Sequence, residues 1–334
     1  MKKLVIYPFT VNQQYIVDHY EKLKNVNYIG KVVPLSWRSS LTGEADDLTE
    51  KIIDESVLLE MADIILVPEL DDYKKIYRDT LDEKLNFLED KGKQIVRVNN
   101  DEIKEYNIPQ NMWQEINTPV IYIGETKNGP HGMILSEDLS EKFRENGYNV
   151  VTVINEKYAE WIGEKCTPEF MNWDISAENK ILMLNHFIYE IEKNEKPDVI
   201  IMQVPGNTVR LDRFSERKFE MGSYIYGQAC TPDIFIQTVP INMCETSLLN
   251  KIRDESLKRF GFNIDIFWIT NCFVDSSRAK YLGSVKEFYV SKNSFQRKIK
   301  EMDIIHQKYN YFNIDSITSI FNYIVDELGD TEHG

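Results

Sequence analysis

Short apolar runs alternate along the chain with segments in which apolar residues recur at helical spacing. This alternation is typical of α/β proteins, in which helices cover both faces of a mostly parallel sheet. In the first third of the chain, the predicted strands are Leu4–Pro8, Tyr28–Pro34, Asp63–Pro68 and Gln94–Val98, and the predicted helices are Asn12–Lys24 and Asp71–Lys91. In the remainder, the predicted strands are Val120–Ile123, Val150–Ile154, Asp198–Val204, Asp233–Val239 and Ile264–Thr270, and the predicted helices are Ile134–Asn146, Ala177–Lys193, Ser247–Phe260, Ser294–Met302 and Asp315–Leu328. The pattern predicts two doubly wound, Rossmann-like units.

A break in this rhythm marks the predicted domain boundary. Residues 99–118 contain several loop formers, among them Pro109, Asn111 and Asn117, and Pro119 opens the next strand. We therefore predict a small α/β domain over residues 1–110 and a larger α/β domain, which includes the C-terminal helices, over residues 111–334.

Charge and composition narrow the class of partner. With 42% hydrophobic and 28% charged residues, the chain has the composition of a folded soluble protein. Its formal net charge of −15 repels polyanions, which argues against a nucleic-acid partner.

Targeting and redox signals are weak along the sequence. The first apolar run stops at Pro8 and is shorter than a signal peptide requires, and no run approaches the roughly 18 to 20 residues of a membrane span. We therefore expect a cytoplasmic protein without a membrane partner. Four cysteines, at positions 166, 230, 244 and 272, include no Cys-x-x-Cys pair, which predicts reduced thiols and no metal site.

The loop after the first strand of the larger domain carries the main chemical signal. Gly124 and Gly129 form a Gly-x-x-x-x-Gly frame between an apolar strand and a helix, which is the context of a phosphate-binding P-loop. A P-loop continues with Lys and then Ser or Thr, whereas this chain has Pro130 and His131. Pro130 removes an amide donor, and no hydroxyl is placed for magnesium. Lys127, inside the loop, could supply the missing positive charge.

A second strand repeats this departure. The buried run from Asp198 ends in Gln203-Val-Pro-Gly, where P-loop proteins often carry an Asp that acts on water-bridged magnesium. With the phosphate lysine and this carboxylate both missing, the sequence predicts a P-loop-like fold without ATP hydrolysis.

The predicted ligand of this site is an anion, either a nucleotide or a phosphate, and no other cofactor is indicated. The segment from Asn207 to Lys218 is locally basic, and its Arg210 and Arg213 could receive such a ligand or an acidic peptide. The predicted binding residues are Gly124, Thr126, Lys127, Asn128, Gly129, His131, Gly132, Gln203 and Arg210. The alternative interpretation is structural: the glycines permit a tight turn, and the basic segment is a solvated surface with paired charges.

Four segments of the sequence, KKLVIYPF, DIILVP, PVIYIGETKNGPHGMILSEDLSEKFRENGYNV and PDVIIMQVPGN, resemble a family of peptide maturation system proteins. Members of that family accompany gene clusters for ribosomally made, post-translationally modified peptides, typically beside radical SAM enzymes. The resemblance implies an accessory factor that acts on, or alongside, a precursor peptide or its modifying enzyme. It carries no catalytic residues over to this chain.

Two further hypotheses remain open from the sequence. One is an enzyme acting on a small carboxylate or phosphate substrate in the cleft between the two domains, with Lys127, His131 and either Cys166 or Cys230 as reactive groups. The other is a homodimer, although the apolar stripe at Ile317–Leu328 is better explained by packing on its own sheet. The aromatic-rich segment Glu164–Trp173 fits either a peptide-gripping surface or an ordinary packed loop.

Overall fold

The structure, a computed structural model, describes a defined set of residues and divides them between two compact units. The described residues are 1–9, 17, 20–23, 26–32, 55–68, 78–97, 113–127, 129–156, 159–208, 221–275, 277, 286–301, 310–313 and 316–331. The first unit comprises Met1–Glu102 and Glu156–Cys166, and the second comprises Ile103–Asn155 and Thr167–Gly334. The predicted boundary at residues 110 and 111 lies outside the described residues, as does most of the predicted helix Asn12–Lys24.

The described strands and helices follow the predicted alternation. The strands are β1 (Lys2–Ile6), β2 (Val26–Lys31), β3 (Ile64–Val67), β4 (Gln94–Arg97), β5 (Val120–Glu125), β6 (Val150–Ile154), β7 (Lys165–Cys166), β8 (Val199–Asn207), β9 (Ile234–Pro240), β10 (Ile266–Thr270), β11 (Cys272–Asp275), β12 (Lys286–Tyr289) and β13 (Asn310–Asn313). The helices are α1 (Glu55–Met61), α2 (Arg78–Asp90), α3 (His131–Glu145), α4 (Ala159–Ile162), α5 (Ala177–Glu195), α6 (Gly222–Ala229), α7 (Thr246–Phe260), α8 (Lys292–Glu301) and α9 (Ile317–Thr331).

The first unit is built on a four-stranded parallel sheet in the order β2-β1-β3-β4. The second half of the central strand β1 and the whole of the central strand β3 are apolar, whereas β1 begins with two exposed lysines. Leu4, Val5, Ile6, Ile65 and Leu66 are completely buried. Such continuous apolar runs are what a parallel sheet covered on both faces requires.

The second unit contains a larger parallel sheet with β5 at its centre. The strands that this unit contributes to the sheet lie in the order β13-β10-β9-β5-β8-β6, and β5 pairs in parallel with both β8 and β9. Successive β5 residues alternate between two cores. Val120 and Tyr122 pack on the side of α5, α6 and α7, whereas Ile121 and Ile123 pack on the side of α3 and α9. The predicted α/β fold with two mostly parallel sheets is therefore confirmed.

The C-terminal helix settles one of the sequence alternatives. Ile320, Phe321 and Ile324 of α9 are buried in the core that also contains Leu139 and Phe143 of α3. The apolar stripe thus packs on its own sheet, as the sequence favoured, and the homodimer stays a prediction.

Several described elements lie outside the predicted ones: α1, α4, α6, β7, β13 and the antiparallel pair of β11 and β12. In addition, α3 begins at His131, three residues before the predicted start at Ile134. Within the described ranges, no helix combines the length and apolar character that crossing a bilayer requires.

A buried amide holds the segment before β5 in place. Asn185 on α5 accepts a hydrogen bond from the Gln114 amide at 2.8 Å and donates its Nδ2 to the carbonyl oxygens of Gln114, at 2.9 Å, and Ala229, at 3.0 Å. Three backbone groups from two other segments therefore depend on this one side chain.

Replacing Asn185 with Leu should destabilise the protein by about 2 to 4 kcal/mol, because buried backbone groups lose their partners while the site stays closed to water. Chemical denaturation measures the change in unfolding free energy. Asn194→Ala, on the exposed side of the same helix, is the matched control and should change it by less than about 0.5 kcal/mol. Equal effects of the two substitutions would contradict the proposed anchoring.

Candidate functional site

The candidate site lies at the carboxyl end of β5, where the chain turns into α3. The neighbouring strand β8 bulges here, because Ile123 pairs with Gln203 while Glu125 pairs with Asn207. Gly206, inside the bulge, has a φ of 81°, which favours glycine. The bulge brings Thr208 against Glu125, whose carbonyl oxygen accepts the Thr208 amide at 2.7 Å.

The side chain of Glu125 fills the centre of the loop. Glu125 is fully buried. Its Oε2 accepts a hydrogen bond from the Gly129 amide at 3.1 Å, and its Oε1 accepts one from the Gly132 amide at 2.6 Å. Backbone amides at the start of a helix are the donors with which a P-loop holds phosphate. In this protein they hold a carboxylate of the chain itself.

The local sequence explains why Glu125 takes this position. Pro130 stands at the amino-terminal cap of α3, and proline offers no side-chain acceptor for the free amides of the first turn. The Glu125 carboxylate supplies that acceptor from outside the helix, and its negative charge faces the positive end of the helix dipole. The contact therefore caps α3 as well as filling the loop.

Two of the three loop glycines are required by close packing. A Cβ on Gly132 would lie 2.9 Å from Cγ and Cδ of Glu125, and a Cβ on Gly124 would lie 2.7 Å from Phe235 and from Thr208. At Gly129, by contrast, the nearest atom would be 3.8 Å away. The structural interpretation of the glycines thus accounts for Gly124 and Gly132.

A buried polar network closes the loop on the β9 side. Thr126 donates from its hydroxyl to the Thr238 carbonyl at 2.5 Å and accepts the Nε2 of Gln237 at 3.1 Å. The Thr208 hydroxyl lies within hydrogen-bond distance of the Glu125 carbonyl, at 2.8 Å, and of Gln237 Oε1, at 2.7 Å. Because these buried groups satisfy one another, the network fixes the chain on both sides of Glu125.

Gln203 reaches the same place from β8. Its Oε1 accepts the Asn155 amide at 2.9 Å, and its Nε2 lies 3.1 Å from where a Cβ of Gly132 would be. The two elements that the sequence compared with a P-loop therefore converge, as adjacent parallel strands require. Where a magnesium-side acid would stand, the structure has an amide that ties β8 to the end of β6.

The ring of His131 lies in an aromatic environment. Its ring centroid lies 6.3 Å from that of Trp268 and 5.7 Å from that of Tyr289. Neither ring nitrogen has a hydrogen-bond partner among the described residues. Burial lowers the pKa of His131 to about 4, so that the ring is neutral at neutral pH and offers an anion no positive charge.

The remaining predicted site residues are less informative. Lys127 is half-buried in the loop. Asn128, Arg210 and Arg213 lie outside the described residues, and the proposed basic cluster therefore stays a prediction.

The cysteines have the character of packed thiols. Burial raises the pKa of Cys166 to about 11 and that of Cys230 to about 12. A thiol with such a pKa carries almost no thiolate at neutral pH, and thiolate is the nucleophilic form. Further along, Phe170 is buried and Trp173 packs beside it on the core, which favours the packed-loop interpretation of that segment.

Comparison with solved structures identifies a similar fold over the whole chain. A DUF1611 family protein from Anabaena variabilis matches with a TM-score of 0.60 and 8% sequence identity, over 99% of this chain and 100% of that chain. At this identity the likeness shows a shared fold. No protein-family model matches the sequence, and no curated protein matches it either.

Two further structures match over part of the chain. Chloroplast FtsY from Physcomitrella patens matches with a TM-score of 0.31 and 10% identity, over 56% of this chain and 67% of that chain. The signal recognition particle 54 kDa protein from Aeropyrum pernix, solved in complex with GDP, matches with a TM-score of 0.31 and 12% identity, over 60% of this chain and 53% of that chain. These similarities are too slight to carry an argument.

Sequence reasoning missed Glu125 and Gln237 as site residues. The available signal for Glu125 was its negative charge, because an acidic residue is unexpected inside a glycine loop that is predicted to bind anions. Gln237 lies in a predicted buried strand, where a polar side chain is uncommon.

Burial of neutral His131 predicts a stability that depends on pH. Because the folded-state pKa, about 4, lies below the unfolded value of 6.5, the unfolded chain binds the proton first as pH falls. Stability from this residue is complete above about pH 6.5 and is lost progressively down to about pH 4, by on the order of 3 kcal/mol. In His131→Leu, the unfolding free energy should fall less over this range, as measured by denaturant titration at a series of pH values.

The control for this measurement is His186→Leu, which makes the same substitution at a half-buried histidine on α5, outside the candidate site. If wild type and His131→Leu lose equal stability between pH 6.5 and 4, the buried neutral imidazole is not its source.

Proposed function

We propose that this protein is a non-hydrolysing accessory protein of peptide maturation, in which the P-loop-like unit binds a partner instead of transferring phosphate. The observation that carries the proposal is the position of Glu125, whose carboxylate accepts the Gly129 and Gly132 amides. A phosphate cannot occupy those donors while the carboxylate does.

The groups around the loop support the absence of phosphoryl transfer. That reaction depends on a lysine and a magnesium ion to neutralise the charge that develops on the phosphates. Here Pro130 stands in the lysine position, the neutral ring of His131 stands in the hydroxyl position, and Gln203 is engaged with Asn155. A buried carboxylate in the loop would also repel the substrate.

We propose anion binding only for a conformation in which the Glu125 side chain no longer occupies the Gly129 and Gly132 amides. An incoming phosphate must replace two hydrogen bonds and a favourable contact with the start of α3. We therefore expect wild-type protein to bind ATP and ADP weakly.

The peptide-maturation context rests on the four segments that resemble that family. The partner we propose is a precursor peptide or the enzyme that modifies it, such as a radical SAM enzyme. A protein that binds such a partner needs no phosphoryl-transfer chemistry of its own.

Phosphate-release assays test the loss of hydrolysis. Wild-type protein with ATP and magnesium should release phosphate no faster than a protein-free control. Magnesium-dependent turnover that disappears in Lys127→Ala would overturn the proposal, since it would mean that the loop lysine serves catalysis.

Substitution of Glu125 tests the role of the carboxylate. Glu125→Ala frees two amide donors, and calorimetric titration should show ADP binding about tenfold or more tighter than in wild type. Glu125→Gln, which keeps the shape without the charge, is the second variant, and thermal melts establish that both are folded. If neither variant gains affinity, the loop does not retain phosphate-binding geometry.

A further inference from the structure

The ribbon formed by β11 and β12 has one covered face and one exposed face. Phe273 lies directly opposite Phe288 across the two antiparallel strands. Cys272 and Val274, which flank Phe273, are buried, whereas Phe273 is 41% exposed and Phe288 is 50% exposed. Because successive strand residues point to opposite faces, the two phenylalanines share the outer face.

The inner face of the ribbon contacts other elements of the second unit. Tyr289 lies against the His131 ring at the start of α3. The Asn242 side chain donates to the Val274 carbonyl at 2.9 Å and accepts the Val274 amide at 3.0 Å. These contacts fix the inner face of the ribbon. Its paired phenylalanines therefore face solvent in a defined position.

An exposed basic helix follows the ribbon. Helix α8 begins at Lys292, and Val290 and Ser291 separate it from the end of β12 at Tyr289. Its sequence KNSFQRKIKE carries four cations and one acid in a chain of net charge −15. Phe295 and Ile299 are buried, while Arg297, Lys298 and Lys300 are exposed. Arg297 and Lys300 line a shallow surface depression of about 430 Å³ together with Asn293 and Gln296.

The short turn Ile241–Met243 lies close to both the ribbon and α8. Asn242 in the turn holds β11 through its two hydrogen bonds to Val274. Ile241 in the turn and Cys244 after it are buried in the same apolar core as Phe295 and Ile299 of α8. The ribbon and α8 therefore flank one short segment.

We propose that this surface, composed of Phe273, Phe288, Arg297 and Lys300, binds an acidic peptide segment that also carries apolar side chains. The proposal rests on the proposed function in taking a peptide as the partner. Exposed paired aromatics are typical of sites that bury apolar partner residues, and the cations complement carboxylates.

Charge and dimensions favour a short peptide over a nucleic acid. The net charge of −15 repels an extended polyanion, whereas a short acidic segment contacts only the basic helix. At most about 14 Å of chain separates Phe288 from Lys292, and the helix axis rises by about 12 Å from Lys292 to Lys300. An extended segment of roughly eight residues is therefore long enough to contact both α8 and the ribbon.

Fluorescence anisotropy with the full-length protein tests this surface. The probe is a fluorescein-labelled peptide of about 12 residues in which Glu alternates with Leu, and binding should weaken as salt rises. The double variants Arg297→Glu/Lys300→Glu and Phe273→Ser/Phe288→Ser should each raise Kd by about tenfold or more. The matched control, Leu257→Ser/Lys258→Glu, changes an exposed apolar residue and an exposed lysine on α7 and should leave Kd unchanged.

Four results would overturn the proposal. Two concern the probe itself: no saturable binding, or equal binding of the peptide in which Lys replaces Glu. The other two are a control variant that weakens binding as much as the surface variants, and a single-stranded oligonucleotide of similar length that binds more tightly than the probe. Thermal melts of every variant separate lost binding from lost folding. The phosphate-release assay reports on hydrolysis alone, and its result therefore distinguishes failure of the proposed function from failure of this surface.

Discussion

The contact between the Glu125 carboxylate and the amides of Gly129 and Gly132 organises the centre of the larger unit. It joins the end of the central strand to the first turn of α3, and it satisfies helix amides that the preceding proline cannot cap. It also explains the packing limits around it, since the space beside Gly132 is taken up by this carboxylate and by Gln203. A buried charge is tolerated here because the amides and the helix dipole replace its hydration.

Much of the architecture follows from periodicity in the sequence. Continuous apolar runs identify β5, β6, β8, β9 and β10, because a strand buried on both faces has no polar side to display. The elements that escaped prediction lack such a signal. Helix α6, with the sequence GSYIYGQA, contains two glycines and is short, and the β11–β12 ribbon depends on pairing between segments with no helical or alternating pattern of their own.

The site was predictable in outline but not in content. Adjacent parallel strands end at one edge of a sheet, and the meeting of the loop with Gln203 follows from that rule. The direction of the His131 ring does not, because it depends on Trp268 and Tyr289, far along the chain. The sequence also does not reveal that the Glu125 side chain turns back into its own loop, because that contact depends on where the amides at the start of α3 lie.

The occupied loop has a consequence for how this chain can change. Placing a lysine at position 130 and a hydroxyl at position 131 would leave the Glu125 carboxylate bound to the amides of Gly129 and Gly132, and Gln203 would still offer no acid. A single substitution at any of these positions meets an environment shaped by the other three, and removal of Glu125 alone leaves α3 without its cap. Introducing phosphoryl-transfer chemistry at this loop would therefore require coordinated replacements at several positions, and no single substitution would suffice.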